Sequence, residues 1–360
     1  MRLIFFSLFS VLFFSCQSEQ QPQNQYFEAK HKSFTYSGRT LNTAEGVELI
    51  TSAASVKANV SGDTVTVFLK SKDEQHHYVA VELNQEYKGR FRVTKDTLKF
   101  ALPQPDTLNT IAIFKETEAA NGPLIFNGMR AQKIEKTREE KRAKIEFIGD
   151  SITCGMGVDT SQINCEEGEW FDQHSAYMSY GTRVARDLDV DFELNCVSGI
   201  GVYRNWNNED QSAMPKVYPY LYLNDGQGKR AELKKEDAPD LVSIALGTND
   251  FFKGDEESER QSFEAEKFKK NYIEFIETIF KTYPDTKIAL LSSPMTGKEE
   301  GKELTKILNE IKAEFADQPV EVFEFQKMNL KGCSGHPGIK DHQIMAKQLL
   351  PFYRELLNLN

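Results

Sequence analysis

The spacing of apolar residues changes near residue 133, and this change restricts the chain to two dissimilar folding units. From about Phe34 to Met129 the period is two. Thr64-Val-Thr-Val-Phe-Leu and Tyr78-Val-Ala-Val-Glu-Leu alternate, and Phe91-Arg-Val, Leu98-Lys-Phe-Ala-Leu and Thr110-Ile-Ala-Ile-Phe follow. Turn-forming residues separate the runs at Ser61-Gly62-Asp63, Asn84-Gln85, Lys88-Gly89 and Pro103 to Pro105. Short alternating strands with polar turns predict an antiparallel sandwich of jelly-roll type. Lys133 to Arg142 is dense in charge and reads as a domain boundary.

Beyond the boundary the pattern becomes strand, helix, strand. Ile145 to Ile148 reads as a buried strand and Leu241 to Leu246 as a central parallel one, and Phe192 to Val197, Ile288 to Leu291 and Val320 to Phe325 read as further strands. Between them, helical spacing predicts Ala176 to Leu188, Ser262 to Tyr283 and Glu303 to Phe315, with Ile339 to Leu357 closing the chain. Alternating β and α units imply a doubly wound parallel sheet, flavodoxin-like, with its site at the carboxyl ends of the strands. The expected division is therefore a signal over 1–16, a tether over 17–30, a β-sandwich over 31–132, a linker over 133–143 and an α/β domain over 144–360.

That carboxyl-end rule selects four short loops. The first strand runs into Gly149-Asp150-Ser151, the second into Ser198-Gly199-Ile200-Gly201, and the third into Gly247-Thr248-Asn249-Asp250. After the last strand comes Gly332-Cys333-Ser334-Gly335-His336-Pro337. Each supplies one part of an acyl-transfer site. Ser151 is the expected nucleophile and His336 the base. The backbone N–H groups of Ser151 and Gly199, with the Asn249 amide, are the expected oxyanion donors, and Gly201 is the fallback for Gly199. Asp150 reads as a turn-fixing residue. Trp206, Tyr203 and Trp170 lie in loops near the strand ends, where an aromatic face can stack on a ring; Trp206 and Tyr203 are the expected substrate contacts.

The set Ser151, Gly199, Asn249 and His336, in that order, resembles the SGNH (GDSL) hydrolase superfamily. Ile145-Glu-Phe-Ile-Gly-Asp-Ser-Ile-Thr-Cys-Gly, Ser175-Ala-Tyr-Met-Ser-Tyr-Gly-Thr-Arg, Ser198-Gly-Ile-Gly-Val-Tyr-Arg-Asn and Leu246-Gly-Thr-Asn-Asp-Phe look like carbohydrate esterase family 2. So do Lys115-Glu-Thr-Glu-Ala and Phe126-Asn-Gly in the first unit. The resemblance implies a jelly roll coupled to an SGNH domain, and a carboxylic ester hydrolase that removes acetyl groups from plant polysaccharides such as xylan or glucomannan. One departure stands out. The acid that commonly precedes the histidine by three residues is replaced by Cys333, with Ser334 next to it. A Ser–His dyad is therefore expected, its imidazole held by a main-chain oxygen, with Asp341 the weaker candidate for a displaced acid. The rival readings are a carbohydrate-binding protein with little turnover and a generic SGNH lipase or thioesterase.

The N-terminus reads as a leader. Met1-Arg2 precedes an apolar run from Leu3 to Phe14, and Phe14-Ser15-Cys16 follows. A small residue before a cysteine resembles a bacterial lipoprotein signal, which would leave Cys16 as the lipidated first residue of an exported outer-membrane or periplasmic protein, touching membrane only through that anchor; the alternative is an ordinary secreted protein with a cleaved signal and an incidental cysteine. Cys154, Cys165, Cys196 and Cys333 would then be free to pair, in any of three connectivities. No Cys-x-x-Cys or His-rich spacing predicts a structural metal, and no cofactor is expected. Lys and Arg number 44 against 54 Asp and Glu, a net charge of −10 that argues against nucleic acid as a partner.

Overall fold

A computed structural model of the chain describes residues 23–359, apart from 72–76, 96, 138–140, 207–211, 225–227, 255–259 and 261. Cys16, the expected lipidation site, lies outside the described residues.

The alternating runs form two six-stranded antiparallel sheets in a jelly-roll sandwich. One sheet is built around Leu124–Ala131 and Thr64–Ser71, the other around Ser55–Ser61, Asn109–Lys115 and Tyr78–Leu83. Their inward-facing residues share one core that includes Val56, Val67, Val81, Ile113 and Phe126. Asn84-Gln85 makes a two-residue hairpin with both residues at positive φ, 54° and 66°, as a primed turn requires. Lys88-Gly89 is not a turn. It lies inside the strand Glu86–Arg92, next to a register shift, and Gly89 at φ 129° takes up the irregularity.

Two expected boundaries move. Gln25–Glu28, inside the stretch read as a tether, is a strand paired with Leu124–Ala131. Lys133–Glu135, inside the stretch read as a linker, is a strand paired with Ser55–Ser61. Both are edge strands of only 4 and 3 residues, too short for hydrophobic alternation to reveal.

In the second domain five parallel strands are β1 (Lys144–Gly149), β2 (Asp191–Cys196), β3 (Leu241–Ala245), β4 (Lys287–Leu291) and β5 (Val320–Phe323). Their order is β2-β1-β3-β4-β5, the flavodoxin-like arrangement. The apolar runs of β1 and β3 are buried on both faces, since helices cover each side. The helices are α1 (Ser151–Cys154), α2 (Tyr180–Leu188), α3 (Ala265–Thr282), α4 (Lys298–Glu314) and α5 (Ile339–Leu356), with a further short turn at Met214–Val217. α3 buries Phe268, Tyr272, Phe275, Ile276, Ile279 and Phe280, the stripe that its three- and four-residue spacing dictates.

The two domains meet through buried and half-buried polar contacts. Tyr78 Oη donates to Asp172 Oδ1 at 2.8 Å, Arg90 donates to the Asp172 carbonyl at 2.6 Å, and the Ser37 hydroxyl donates to the Phe192 carbonyl at 3.0 Å.

Candidate active site

The carboxyl end of β1 leads directly into α1, and Asp150 forms the junction. It caps the helix by accepting the Ile152 N–H at 3.0 Å. Burial drives its carboxyl up to about 7 against the pull of that bond, which suits a turn-fixing role. Ser151 is therefore the first helical residue, where an N–H has no intrahelical acceptor. Gly155 closes α1 at φ 79°, and a Cβ there would sit 2.4 Å from the Ser175 carbonyl oxygen, so only glycine fits.

Ser151 Oγ lies 2.8 Å from His336 Nε2. His336 Nδ1 lies 3.2 Å from the Ser334 carbonyl oxygen. A carbonyl can only accept, so Nδ1 carries the proton and Nε2 is left to accept from the serine. This places a main-chain oxygen where the sequence lacked an acid. Ser334 at φ 52° and Gly335 at φ 73° fold the loop back to allow it. The loop is fastened by Gly332 N–H to the His336 carbonyl at 2.8 Å and by Cys333 N–H to the Gly157 carbonyl at 3.0 Å. Burial lowers the imidazole below its ordinary value, and its bond to Ser334 works in the opposite direction.

Asp341 does not reach the imidazole. Its Oδ2 accepts the N–H groups of Lys331, at 2.7 Å, and Gly338, at 2.9 Å. Those residues bracket the histidine loop, so Asp341 braces the loop rather than the ring.

The cysteines pair as Cys154–Cys196 and Cys165–Cys333. The first ties α1 to the end of β2. The second ties the histidine loop to the segment after α1. Sequence spacing could not choose this connectivity, because the pairing follows from how three loops converge.

Gly199 follows β2 at φ 77°, and a Cβ on it would sit 2.2 Å from Trp206 Cδ1. The Trp206 N–H donates to the Gly199 carbonyl at 2.9 Å. Among the described residues, neither the Gly199 N–H nor the Ser151 N–H has an acceptor in the protein. Gly201, the fallback donor, is excluded, because its N–H already donates to Asn205 Oδ1 at 3.0 Å. Asn249 Nδ2 donates to the Ile200 carbonyl at 2.8 Å, which fixes the amide plane.

Ser151, His336, Gly199 and Asn249 all line one cavity of about 980 Å³. Trp170, 46% exposed, and Trp206, 40% exposed, line it too. Tyr203 does not. Its ring packs on Phe263 and Phe268, and its hydroxyl accepts the Glu264 N–H at 3.1 Å, so it belongs to the side of the domain covered by α3. Its place in a loop near the strand ends was misleading, because the ring packs against Phe263 and Phe268 and not into the cavity. Asp250 was missed. Its buried carboxylate accepts the N–H groups of Val202, Tyr203 and Arg204 at 2.9 to 3.2 Å and sets the shape of the loop after Gly199. An acid directly after Asn249 was the available signal. Among the described residues, no three His, Cys, Asp or Glu side chains gather as a metal site.

Residues 145–349 match the family described as GDSL-like lipase/acylhydrolase, and residues 36–140 match the carbohydrate esterase 2 N-terminal domain. An acetylxylan esterase/glucomannan deacetylase of Cellvibrio japonicus is 30% identical over 217 residues, covering 59% of this chain and 59% of that protein, so the match spans about three fifths of the relative. A family two carbohydrate esterase structure from Cellvibrio japonicus superposes with a TM-score of 0.81 at 22% identity, covering 93% of this chain and 98% of that one. A second, from Clostridium thermocellum in complex with cellohexaose, gives 0.77 at 27% identity, covering 90% and 99%. The chain belongs to the GDSL-like lipase/acylhydrolase family and carries the N-terminal domain of carbohydrate esterase family 2.

Proposed function

We propose that the protein is a carbohydrate O-acetyl esterase acting on acetylated plant polysaccharides such as xylan or glucomannan. The observation that carries this is the 2.8 Å contact between Ser151 Oγ and His336 Nε2 in a cavity flanked by two exposed tryptophans. The kinship with family 2 esterases, one of them crystallised with cellohexaose, supports a saccharide substrate.

Ser151 Oγ attacks the acetyl carbonyl as its proton passes to His336 Nε2. The negative charge that develops on the carbonyl oxygen is met by the N–H groups of Ser151 and Gly199 and by the Asn249 amide. The tetrahedral intermediate collapses as His336 returns the proton to the departing sugar hydroxyl, leaving an acetyl-enzyme. His336 then deprotonates water, which releases acetate and restores the serine. The Ser334 carbonyl keeps the imidazole in the productive tautomer throughout. It stabilises the transient imidazolium less than a carboxylate would, so moderate turnover is expected. Trp206 and Trp170 offer faces on which sugar rings can stack.

Export and lipidation at Cys16 complete the proposal, with anchorage to the membrane by that lipid alone. Two disulfides support an oxidising compartment. Metabolic labelling with a fatty acid tests the anchor, and an unlabelled mature protein removes it.

Acyl-chain preference tests the enzymatic reading. Purified protein is expected to cleave 4-nitrophenyl acetate faster than the octanoate. The reverse order would make it a lipase-type hydrolase, and saccharide binding without ester cleavage would make it a binding protein.

A further inference from the structure

The segment Lys115-Glu-Thr-Glu leaves the sandwich at the end of the strand Asn109–Lys115 and enters the other domain. Lys115, Glu116 and Thr117 are fully buried and Glu118 is 1% exposed. Four successive polar residues in such a place need partners, since each unpaired one would cost free energy. Lys115 Nζ donates to the carbonyls of Thr117, at 2.8 Å, and Glu118, at 2.7 Å, which folds the segment on itself.

The two carboxylates then reach loops on either side of Ser151. Glu116 accepts from the Ser175 hydroxyl at 3.2 Å and the Tyr177 N–H at 2.9 Å. The Ser175 N–H in turn donates to the carbonyl of Gly155, which closes α1, at 2.9 Å. Glu118 Oε2 accepts both donors of Ser198, the N–H at 2.9 Å and the hydroxyl at 2.7 Å. Ser198 immediately precedes Gly199. The later part of that loop has fastenings within its own domain, at Asn205 and Asp250. Ser198 takes its side-chain anchor from the sandwich.

We propose that Glu118 is a positioning residue for ester hydrolysis: it holds Ser198 so that the adjacent Gly199 N–H faces the developing oxyanion. The N-terminal domain is on this account part of the active site and not an appended module. The inference rests on the esterase reading of Ser151 and His336.

Burial drives the Glu118 carboxyl up to about 7, while the bonds from Ser198 pull it down. Either protonation state keeps an acceptor oxygen for Ser198, so oxygen position matters more than charge. Glu118→Gln retains the oxygen without the charge, whereas Glu118→Asp retains the charge but withdraws the oxygen by one methylene. Ser198→Ala removes one of the two bonds.

The test is steady-state hydrolysis of 4-nitrophenyl acetate by the full chain, with a melting temperature for each variant. Losing an oxyanion donor costs about 10²–10³ in kcat, and a displaced one costs less. Glu118→Asp is therefore expected to lose about tenfold to hundredfold in kcat with KM nearly unchanged, Ser198→Ala to lose about threefold to tenfold, and Glu118→Gln to recover most of the rate. If Glu118→Asp does not fold, Ser198→Ala and Glu118→Gln carry the test. A lower melting temperature with wild-type kcat would show a plain interdomain staple and overturn the inference. Equal losses in the Gln and Asp variants would overturn it too. Absence of any Ser151-dependent hydrolysis in the wild type would instead remove the esterase reading itself.

Discussion

Asn249→Ala isolates the one side-chain donor assigned to the oxyanion in the proposed chemistry. The amide nitrogen carries two hydrogens. One goes to the Ile200 carbonyl at 2.8 Å. The nearest acceptor for the other is Asp150 Oδ2 at 3.5 Å, beyond ordinary N–H···O reach, so that hydrogen is available to an oxyanion. Alanine removes one of three donors, which costs about 10²–10³ in kcat, or about 2.7–4 kcal/mol. The donor acts on charge that exists only in the transition state, so KM should change little. There is a structural cost as well. The Ile200 carbonyl loses its partner, which destabilises the fold by about 1–3 kcal/mol. The variant should therefore melt several degrees lower yet remain folded at assay temperature. Asn249→Asp keeps the shape, removes the donor and adds negative charge, and should be at least as slow. Initial rates on 4-nitrophenyl acetate give kcat and KM separately. A folded Asn249→Ala protein with kcat within about threefold of wild type would refute the donor role. A rise in KM at constant kcat would show ground-state binding instead.

The acid limb of kcat/KM should fall below the ordinary histidine value of about 6.5, because the base must be neutral and burial lowers the His336 pKa; a limb at or above that value would contradict the assignment. Trp206→Ala should raise KM for acetylated oligosaccharide several-fold more than for 4-nitrophenyl acetate, and equal effects would remove Trp206 from the saccharide site. Asp341→Ala should lower kcat by about tenfold or less, through a loosened loop; a thousandfold loss would mean that its carboxylate orients the imidazole after all. Replacing Cys165 and Cys333 by serine opens a link across 168 residues, which the chain-entropy relation puts at about 5 kcal/mol, so the melting temperature should fall clearly; an unchanged value would show that the cross-link does not constrain the unfolded chain.

Much of this architecture was legible in the sequence, for identifiable reasons. β1, β3 and β4 are buried in the middle of the sheet, so they appear as short, mostly apolar runs. Ser151, Gly199 and Asn249 each stand just past a strand, His336 stands in the loop before the closing helix, and topology brings these loops to one end of the sheet. The main-chain partner for His336 could be anticipated because Cys333 and Ser334 left no carboxylate in reach. The failures share a cause as well. Gln25–Glu28 and Lys133–Glu135 pair through backbone at sheet edges, where side-chain pattern carries no signal. Tyr203 was placed by its loop near the strand ends, although its ring packs on Phe263 and Phe268 and does not line the cavity. Glu118 lies in a quoted motif of the first domain, yet its partner Ser198 is 80 residues away, and no local rule connects them.

The central claim is that Ser151 and His336 transfer acetyl groups from a polysaccharide to water. Acetate released from acetylated xylan and acetylated glucomannan, by purified wild-type protein and by Ser151→Ala, tests it most directly. The account predicts steady release from at least one polymer by the wild type and none above background by the variant. Equal release from both proteins, or none from either polymer, would contradict it.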